Sequence, residues 1–376
     1  MPKSKDLISN LAFGCMRFPT DADGKIDKER SLEMLKYAYD HGVNYYDTAY
    51  PYHGGQSETF LGEFLTTIDR SSVFVATKLP SWLIKTHEDM QRYLDEQLAK
   101  LQTGYIDYYL LHSLNAKTWQ VLRDNKVFSF LEKAKADGKI RHIGFSFHDS
   151  YPVFKKILNA YDWDFCQVML NYLDTHYQAG LHGVKTAAEK GLGIMAMEPL
   201  RGGKLIAPIP PGIEEKWNKH KNYEKPVERA LRWVWDLPET TTLLSGMSTL
   251  EQVKENVRLA GKYAPKSLSE KEIKLYKDIR REYIKRIPIL CSECRYCLPC
   301  PYNVAIPTVM GVYNEAVMFG DKQRHKREYH WFVREENRAD KCVQCGACLS
   351  KCPQKLEIPT HMQTITDYFR DEQEKQ

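Results

Sequence analysis

Residues 106–112 read Ile-Asp-Tyr-Tyr-Leu-Leu-His. The run is short, almost continuously apolar, rich in aromatic side chains, and ends on a titratable residue. A strand with one wet face alternates polar and apolar residues, so this pattern fits a strand buried on both faces, as in a parallel sheet. Residues 11–16, 44–48, 73–78, 142–147, 165–171, 193–199 and 242–246 repeat it and bring the count of strands to eight. Between them lie stretches with helical periodicity, at 29–41, 87–101, 121–137 and 227–237. A doubly wound sheet also alternates this way, but no Gly-x-Gly-x-x-Gly opens the first βα turn. The expected fold is α/β, a (β/α)8 TIM barrel.

A barrel of this kind works at the ends of its strands, where the βα loops begin. Asp47, Lys78, His112, Ser146, Gln167 and Asn171 all fall at such ends. Singly, each is explained by a buried polar group or a helix cap. Together they place an acid, a base and an imidazole at one mouth, which points to acid–base chemistry. Trp82, Tyr50 and His53 are expected to line that mouth, and Cys15 and Cys166 to be packed small residues.

The segment 44–58, Asn-Tyr-Tyr-Asp-Thr-Ala-Tyr-Pro-Tyr-His-Gly-Gly-Gln-Ser-Glu, resembles the signature of aldo-keto reductases. Ala76-Thr-Lys78, Tyr109-Leu-Leu-His112, Gly144-Phe-Ser146, Gln167, Pro199-Leu-Arg-Gly-Gly203, Ser245-Gly-Met-Ser248 and Glu255-Asn256 follow in the family's order, so the resemblance covers residues 7–262. It implies that Tyr52 gives a proton to a carbonyl oxygen as hydride arrives. A free tyrosine has a pKa of about 10. Lys78 would favour its phenolate, Asp47 would keep Lys78 charged, and His112 would orient the substrate oxygen. For the coenzyme the resemblance implies Ser146, Gln167, Met197, Leu200, Gly202, Ser245, Gly246, Ser248, Gln252 and Asn256. Several departures bear on which coenzyme that is. Phe147 and His148 follow Ser146, where the family has asparagine. Met197 stands where an aromatic stacks on nicotinamide, and Glu198 adds an acid beside the pyrophosphate loop. The cations that many NADPH-using relatives carry in the 245–256 segment are missing. NADH, NADPH and a flavin all stay open.

Eight of the ten cysteines lie between residues 291 and 352. Cys291-x2-Cys294-x2-Cys297-x2-Cys300-Pro is followed by Cys342-x2-Cys345-x2-Cys348-x3-Cys352-Pro. The second run has the spacing by which bacterial ferredoxins hold four-iron clusters, and the first is one residue shorter before its last cysteine. Eight thiolates suit two [4Fe–4S] clusters. Carried over from two-cluster ferredoxins, Cys291, Cys294, Cys297 and Cys352 would hold one cluster, and Cys342, Cys345, Cys348 and Cys300 the other. Zinc prefers separated Cys-x2-Cys pairs, disulfides do not suit a cytosolic chain, and a redox dithiol needs only two cysteines. The stretches 307–319 and 323–334 read as helices, so the module resembles an α-helical ferredoxin. The chain is therefore divided into a barrel over 1–267, a linker helix over 268–288 opened by a capping-box pattern, and a cluster domain over 289–376. It resembles the iron–sulfur, ferredoxin-domain-fused subgroup of aldo-keto reductases.

With 43% hydrophobic and 27% charged residues and a net charge of +5, the chain has the composition of an ordinary globular protein. Its apolar runs are too short to span a bilayer, and no hydrophobic run follows the basic start, so a cytoplasmic protein without a secretion signal is expected. Lys322, Arg324, Lys326 and Arg327 form the one basic stretch, too small for nucleic-acid binding. It reads as a solvated helix face or as a docking patch for an acidic redox partner. The expected function is an oxidoreductase acting on a small carbonyl or alcohol, with the clusters passing electrons to or from a ferredoxin or flavodoxin. Two alternatives remain: a nicotinamide-dependent reductase with structural clusters, and an electron carrier or redox sensor with a non-catalytic barrel.

Overall fold

The computed structural model of the protein describes residues 7–220 and 225–370. The first six residues, on which the expectation of no secretion signal rests, lie outside them. Eight parallel strands close into a barrel in sequence order. They are β1 (Leu11–Gly14), β2 (Tyr45–Asp47), β3 (Phe74–Leu79), β4 (Ile106–Leu114), β5 (Ile140–Phe147), β6 (Phe165–Met169), β7 (Gly193–Met197) and β8 (Thr242–Gly246). The helices are α1 (Lys28–Asp40), α2 (Gln56–Leu65), α3 (His87–Lys100), α4 (Ala116–Asp124), α5 (Val127–Ala136), α6 (Tyr151–Leu158), α7 (Gly180–Glu189), α8 (Pro211–Asn218), α9 (Pro226–Trp235), α10 (Leu250–Ala260), α11 (Glu270–Lys285), α12 (Ile306–Phe319), α13 (Lys322–Phe332) and α14 (Ile358–Phe369).

Strand periodicity explains how the barrel aims its polar residues. Tyr45, Tyr108, Phe165, Ala76, Met195 and Leu244 form one buried cluster, the filling of the barrel, in which Tyr45 and Phe165 each pack against Tyr108 at about 5 Å. Gly144 has no side chain because a Cβ there would lie 2.5 Å from the Phe165 ring. Successive side chains on a strand face opposite ways, so residues two further on share this inner face. Those residues are Asp47, Lys78, Ser146, Gln167, Met197 and Gly246, with His112 four beyond Tyr108. The opposite parity, including Tyr46, Val75, Tyr109, Phe145, Phe147 and Val168, packs outward in the core shared with the helices.

The expected helix over 121–137 is two helices, α4 and α5. Lys126 between them adopts a left-handed φ of 56°. The Asn125 amide donates to the Val121 carbonyl at 2.9 Å, and the carbonyl of Asn125 bonds His87 Nδ1 at 2.8 Å, so the break leaves its polar groups partnered.

The chain packs as two compact units. One comprises the described residues up to Gly202 with Val227–Ser269; the other comprises the described part of Gly203–Pro226 and the residues from Glu270 onward. The sequence division assigned 203–226 to the barrel. Instead α8 packs within the second unit, where buried Trp217 meets Tyr276 edge-on at 5.2 Å and Lys216 pairs with Glu282 at 2.8 Å. Helix α11, read as a linker, belongs to the same unit. Its second core joins α12, α13 and α14 through Ile306, Val309, Met310, Tyr329, Met362 and Ile365 around the cysteine loops. No helix among the described residues is long and apolar enough to cross a membrane.

The basic stretch opening α13 is not one free stripe. Lys322 lies over the Tyr368 ring, Arg324 bonds Glu328 at 3.3 Å, and His325 is fully buried.

Candidate functional site

Lys78 is the centre of the barrel mouth. Its Nζ donates to Asp47 Oδ1 at 2.7 Å, to the Thr48 carbonyl at 2.7 Å and toward the Tyr52 hydroxyl at 3.4 Å. Its side chain is 1% exposed and that of Asp47 is 5% exposed, so the pair lies in a low-dielectric setting. Burial pulls the lysine down, but Asp47 and Tyr52 together outweigh it and raise it above its usual value, so Lys78 is an ammonium. Burial raises Asp47, with Lys78 opposing. Burial likewise raises Tyr52 beyond what Lys78 takes back. The expected lowering of Tyr52 is therefore overtaken by desolvation, and the phenol keeps its proton at neutral pH.

Tyr52 reaches this place through a turn after β2 in which His53, Gly54 and Gly55 have φ values of 52°, 62° and 92°. Two glycines make such a left-handed run affordable. His112 stands edge-on to Tyr52, with ring centroids 6.2 Å apart, and 5.0 Å from Trp82. Burial, then the charge of Lys78, holds His112 well below its ordinary value, so it is neutral. Its Nδ1 is buried without a hydrogen-bond partner. Of the expected mouth aromatics only Trp82 meets His112. Tyr50 bonds Glu96 at 3.3 Å and meets Tyr93 edge-on, and His53 packs against Phe18.

Behind Lys78 the sequence reading missed Gln97 and gave no role to Ser57, Glu58 and Thr77, which lie in the matched segments. Gln97, fully buried on α3, donates to Glu58 Oε1 at 2.7 Å and to the Lys78 carbonyl at 3.0 Å, and accepts from Tyr109 at 2.9 Å. Thr77 donates to the same Glu58 oxygen at 2.7 Å. Ser57 bonds Thr48 and the Cys15 carbonyl, each at 2.9 Å, and so steadies the strand end that accepts from Lys78. Ser57 and Glu58 close the signature segment without a role read for them, while Gln97 belongs to no motif, its only signal being a polar residue on an otherwise apolar helix face.

The residues matched to a coenzyme fall in two groups. Ser146, Gln167 and Met197 end neighbouring strands β5, β6 and β7. Ser146 Oγ accepts from the Ser113 amide at 2.7 Å. Gln167 Nε2 lies 3.7 Å from Met197 Sδ, while its Oε1 is buried without a partner. That orphaned carbonyl oxygen suits an amide donor such as a carboxamide. Leu200 is half-buried against the core, and Gly202 has a φ of 64° in a loop anchored by Asp174, which accepts from Arg201 at 2.7 Å and Asn171 at 3.0 Å. Glu198 is exposed. Phe147 is buried outward against Phe154. In the second group Asn256 donates to Ser245 at 3.0 Å, and the Ser248 amide to Gln252 at 2.8 Å, at the corner where β8 meets α10. Arg17, another residue missed in the sequence, lies beside Gly246: a Cβ there would come within 2.7 Å of its Cγ. Lys254 on α10 is turned onto the Tyr37 ring instead.

In the second unit the cysteines line two cavities. One is lined by Cys300, Cys342, Cys345 and Cys348, together with Cys297, Val304, Ile306 and Ile358. The other is lined by Cys291, Cys294, Cys297 and Cys352 with Ile306, Pro307 and Met310. The second cavity draws three cysteines from the first run and Cys352 from the second; the first cavity draws three from the second run with Cys300 and Cys297 from the first, Cys297 lying on the wall between the two. Glu293, Arg295 and Gln344 sit at left-handed φ, curling both loops between their cysteines. Four thiol donors around an apolar-walled cavity fit an iron–sulfur cube in donor chemistry and number.

The aldo/keto reductase family matches residues 10–281, and the 4Fe-4S dicluster domain matches residues 290–356. The chain is 27% identical to the L-galactose dehydrogenase of Arabidopsis thaliana, over 66% of this chain and 83% of that one. It is 24% identical to a probable aldo-keto reductase of Glycine max (75% and 86%), and 24% identical to the NADH-specific methylglyoxal reductase of Escherichia coli (62% and 84%). An aldo-keto reductase from Bacillus halodurans in its holo form superposes with a TM-score of 0.62 at 24% identity, over 74% of this chain and 94% of that one, which speaks to the fold. The barrel and the family match over most of the chain lead to one statement: this protein belongs to the aldo/keto reductase family and carries a 4Fe-4S dicluster domain at its C-terminal end.

Proposed function

We propose that the barrel interconverts a carbonyl and an alcohol on a small substrate, with Tyr52 moving the proton, and that the cluster domain exchanges electrons with an external ferredoxin or flavodoxin. The observation that carries the reading is the buried Asp47–Lys78–Tyr52 relay beside neutral His112. Gln167, Ser146, Met197, Leu200 and Gly202 on one side, and Ser245, Gly246, Ser248, Gln252 and Asn256 on the other, would hold NADH, NADPH or a flavin. Cys291, Cys294, Cys297 and Cys352 would hold one cluster, and Cys300, Cys342, Cys345 and Cys348 the second. When bound, the coenzyme supplies hydride and the clusters supply one-electron relay. The chain's own residues do the rest. His112 orients the substrate oxygen by hydrogen bonding, Tyr52 gives that oxygen its proton, and Lys78 with Asp47 stabilises the phenolate left behind. Thiolate-rich sites of this kind belong in a reducing compartment, which supports a cytoplasmic location.

The pH dependence tests the role of Tyr52. Its phenol is raised, so reduction, which needs the protonated form, should have a kcat flat from about pH 6 to pH 9. Alcohol oxidation needs the phenolate and should climb about tenfold per pH unit over the same range. Assays in both directions with NADH and with NADPH decide it. A pH-independent oxidation rate would remove Tyr52 as the proton carrier.

A further inference from the structure

The rims of the two cysteine cavities differ. Tyr302, Val343 and Lys351 line the cavity formed by Cys300, Cys342, Cys345 and Cys348, and Tyr302 is 47% and Val343 55% exposed. Leu349 is exposed on the same loop, and so is Cys345 itself. The Cys291–Cys297 loop is comparable in this respect, with Leu290 72% and Tyr296 66% exposed and Cys294 exposed as well. Charge distinguishes the two rims. From residue 338 to 357 four cations, Arg338, Lys341, Lys351 and Lys355, stand against two acids, Asp340 and Glu357, and Asp340 is already paired with Lys341 at 2.9 Å. Lys351 and Lys355 are exposed and have no acidic partner among the described residues. Between Cys291 and Cys297, on the other rim, Glu293 and Arg295 offset each other. The α13 stretch is a weaker candidate, because Lys322 and Arg324 are committed to Tyr368 and Glu328.

We propose that an acidic one-electron carrier protein docks on the Tyr302–Val343–Lys351 rim, making the Cys342–Cys348 loop the electron port of the domain. The proposal rests on the reading of the eight cysteines as cluster ligands. Exposed apolar side chains supply the dry contact, and flanking unpaired lysines steer an acidic partner to it. Each encounter moves one electron and makes or breaks no bond: the reduced carrier is oxidised by one equivalent and the domain reduced by one, or the reverse.

The full chain, purified anaerobically with its iron and sulfide, is titrated with a purified acidic bacterial ferredoxin. Binding is measured by calorimetry at low and moderate salt, and bleaching of the visible absorption is followed by stopped flow. K351E/K355E should bind about tenfold more weakly or worse, lose most of its salt dependence, and still bleach normally with dithionite. Q323E/R327E, which alters the exposed face of α13, should bind within about twofold of wild type. If the charge reversal costs the protein its clusters, K351Q takes its place, with the same direction expected. Unchanged affinity in the Lys351 variants, or a loss confined to Q323E/R327E, overturns the port while leaving the cluster reading intact. A wild-type chain without iron and sulfide overturns both.

Discussion

Lys78→Met should lower kcat for carbonyl reduction by about 10²–10⁴-fold, the range that a positioned proton-transfer system is worth. The Lys78 ammonium touches Asp47, the Thr48 carbonyl and the Tyr52 hydroxyl at once. Methionine fills the same channel without charge, so Tyr52 loses the one cation that opposes its burial. The same change leaves the Asp47 carboxylate buried and unmatched, a loss of about 3–5 kcal/mol in stability. Its sign with pH follows. Burial already raises Asp47, and without Lys78 nothing opposes that rise. The native state then holds a proton that the unfolded chain releases, so the variant is more stable near about pH 5 than near about pH 8. Adding Asp47→Asn should restore most of the stability and none of the activity. Chemical denaturation at both pH values, with kcat on the single and double variants, checks it. Activity returning together with stability would show that Lys78 merely props the core.

Cys352→Ser should remove the cluster cradled mainly by the first cysteine run, although Cys352 belongs to the second. The cavity walls dictate this, because Cys352 shares its cavity with Cys291, Cys294 and Cys297. Iron and sulfide should fall to about half. Pairs of substitutions separate this from a simple defect in the nearer loop. C291S/C352S strikes one site twice and should keep about four iron per chain, whereas C342S/C352S strikes both sites and should keep almost none. The reverse pattern would mean that each run binds its own cluster. The domain's second core is built around these loops and includes Cys297 among its buried residues, so losing both clusters should also unfold it at a lower temperature.

How far the sequence carried these conclusions depended on whether a signal was periodic or solitary. The strands were legible because double-sided burial leaves uninterrupted apolar runs, and the ends of those runs put Asp47, Lys78, His112, Ser146 and Gln167 at one mouth. The cysteine runs were legible from spacing alone. The break at Lys126 was not, since a single left-handed residue leaves no gap in helical periodicity. The affiliation of residues 203–226 was hidden because it turns on where Trp217 is buried, not on composition. Gln97 carries no motif, the role of Glu58 cannot be read from its place at the end of the 44–58 segment, and the net direction of Tyr52's shift depends on a balance between burial and Lys78 that only coordinates supply. The basic stretch at 322–327 could be read only as a run of charges; that Arg324 pairs with Glu328 one turn along α13 and that Lys322 lies over Tyr368 depends on side-chain placement.

The central claim is a reductase barrel fused to a domain that holds two four-iron clusters. The most direct measurement is anaerobic purification followed by quantitation of iron, acid-labile sulfide, zinc and extracted coenzyme, with visible spectra before and after dithionite and NAD(P)H. About eight iron and eight sulfide per chain, with absorption that bleaches on reduction, is the predicted result. Zinc without sulfide would contradict it and leave the C-terminal unit a structural appendage to a plain reductase.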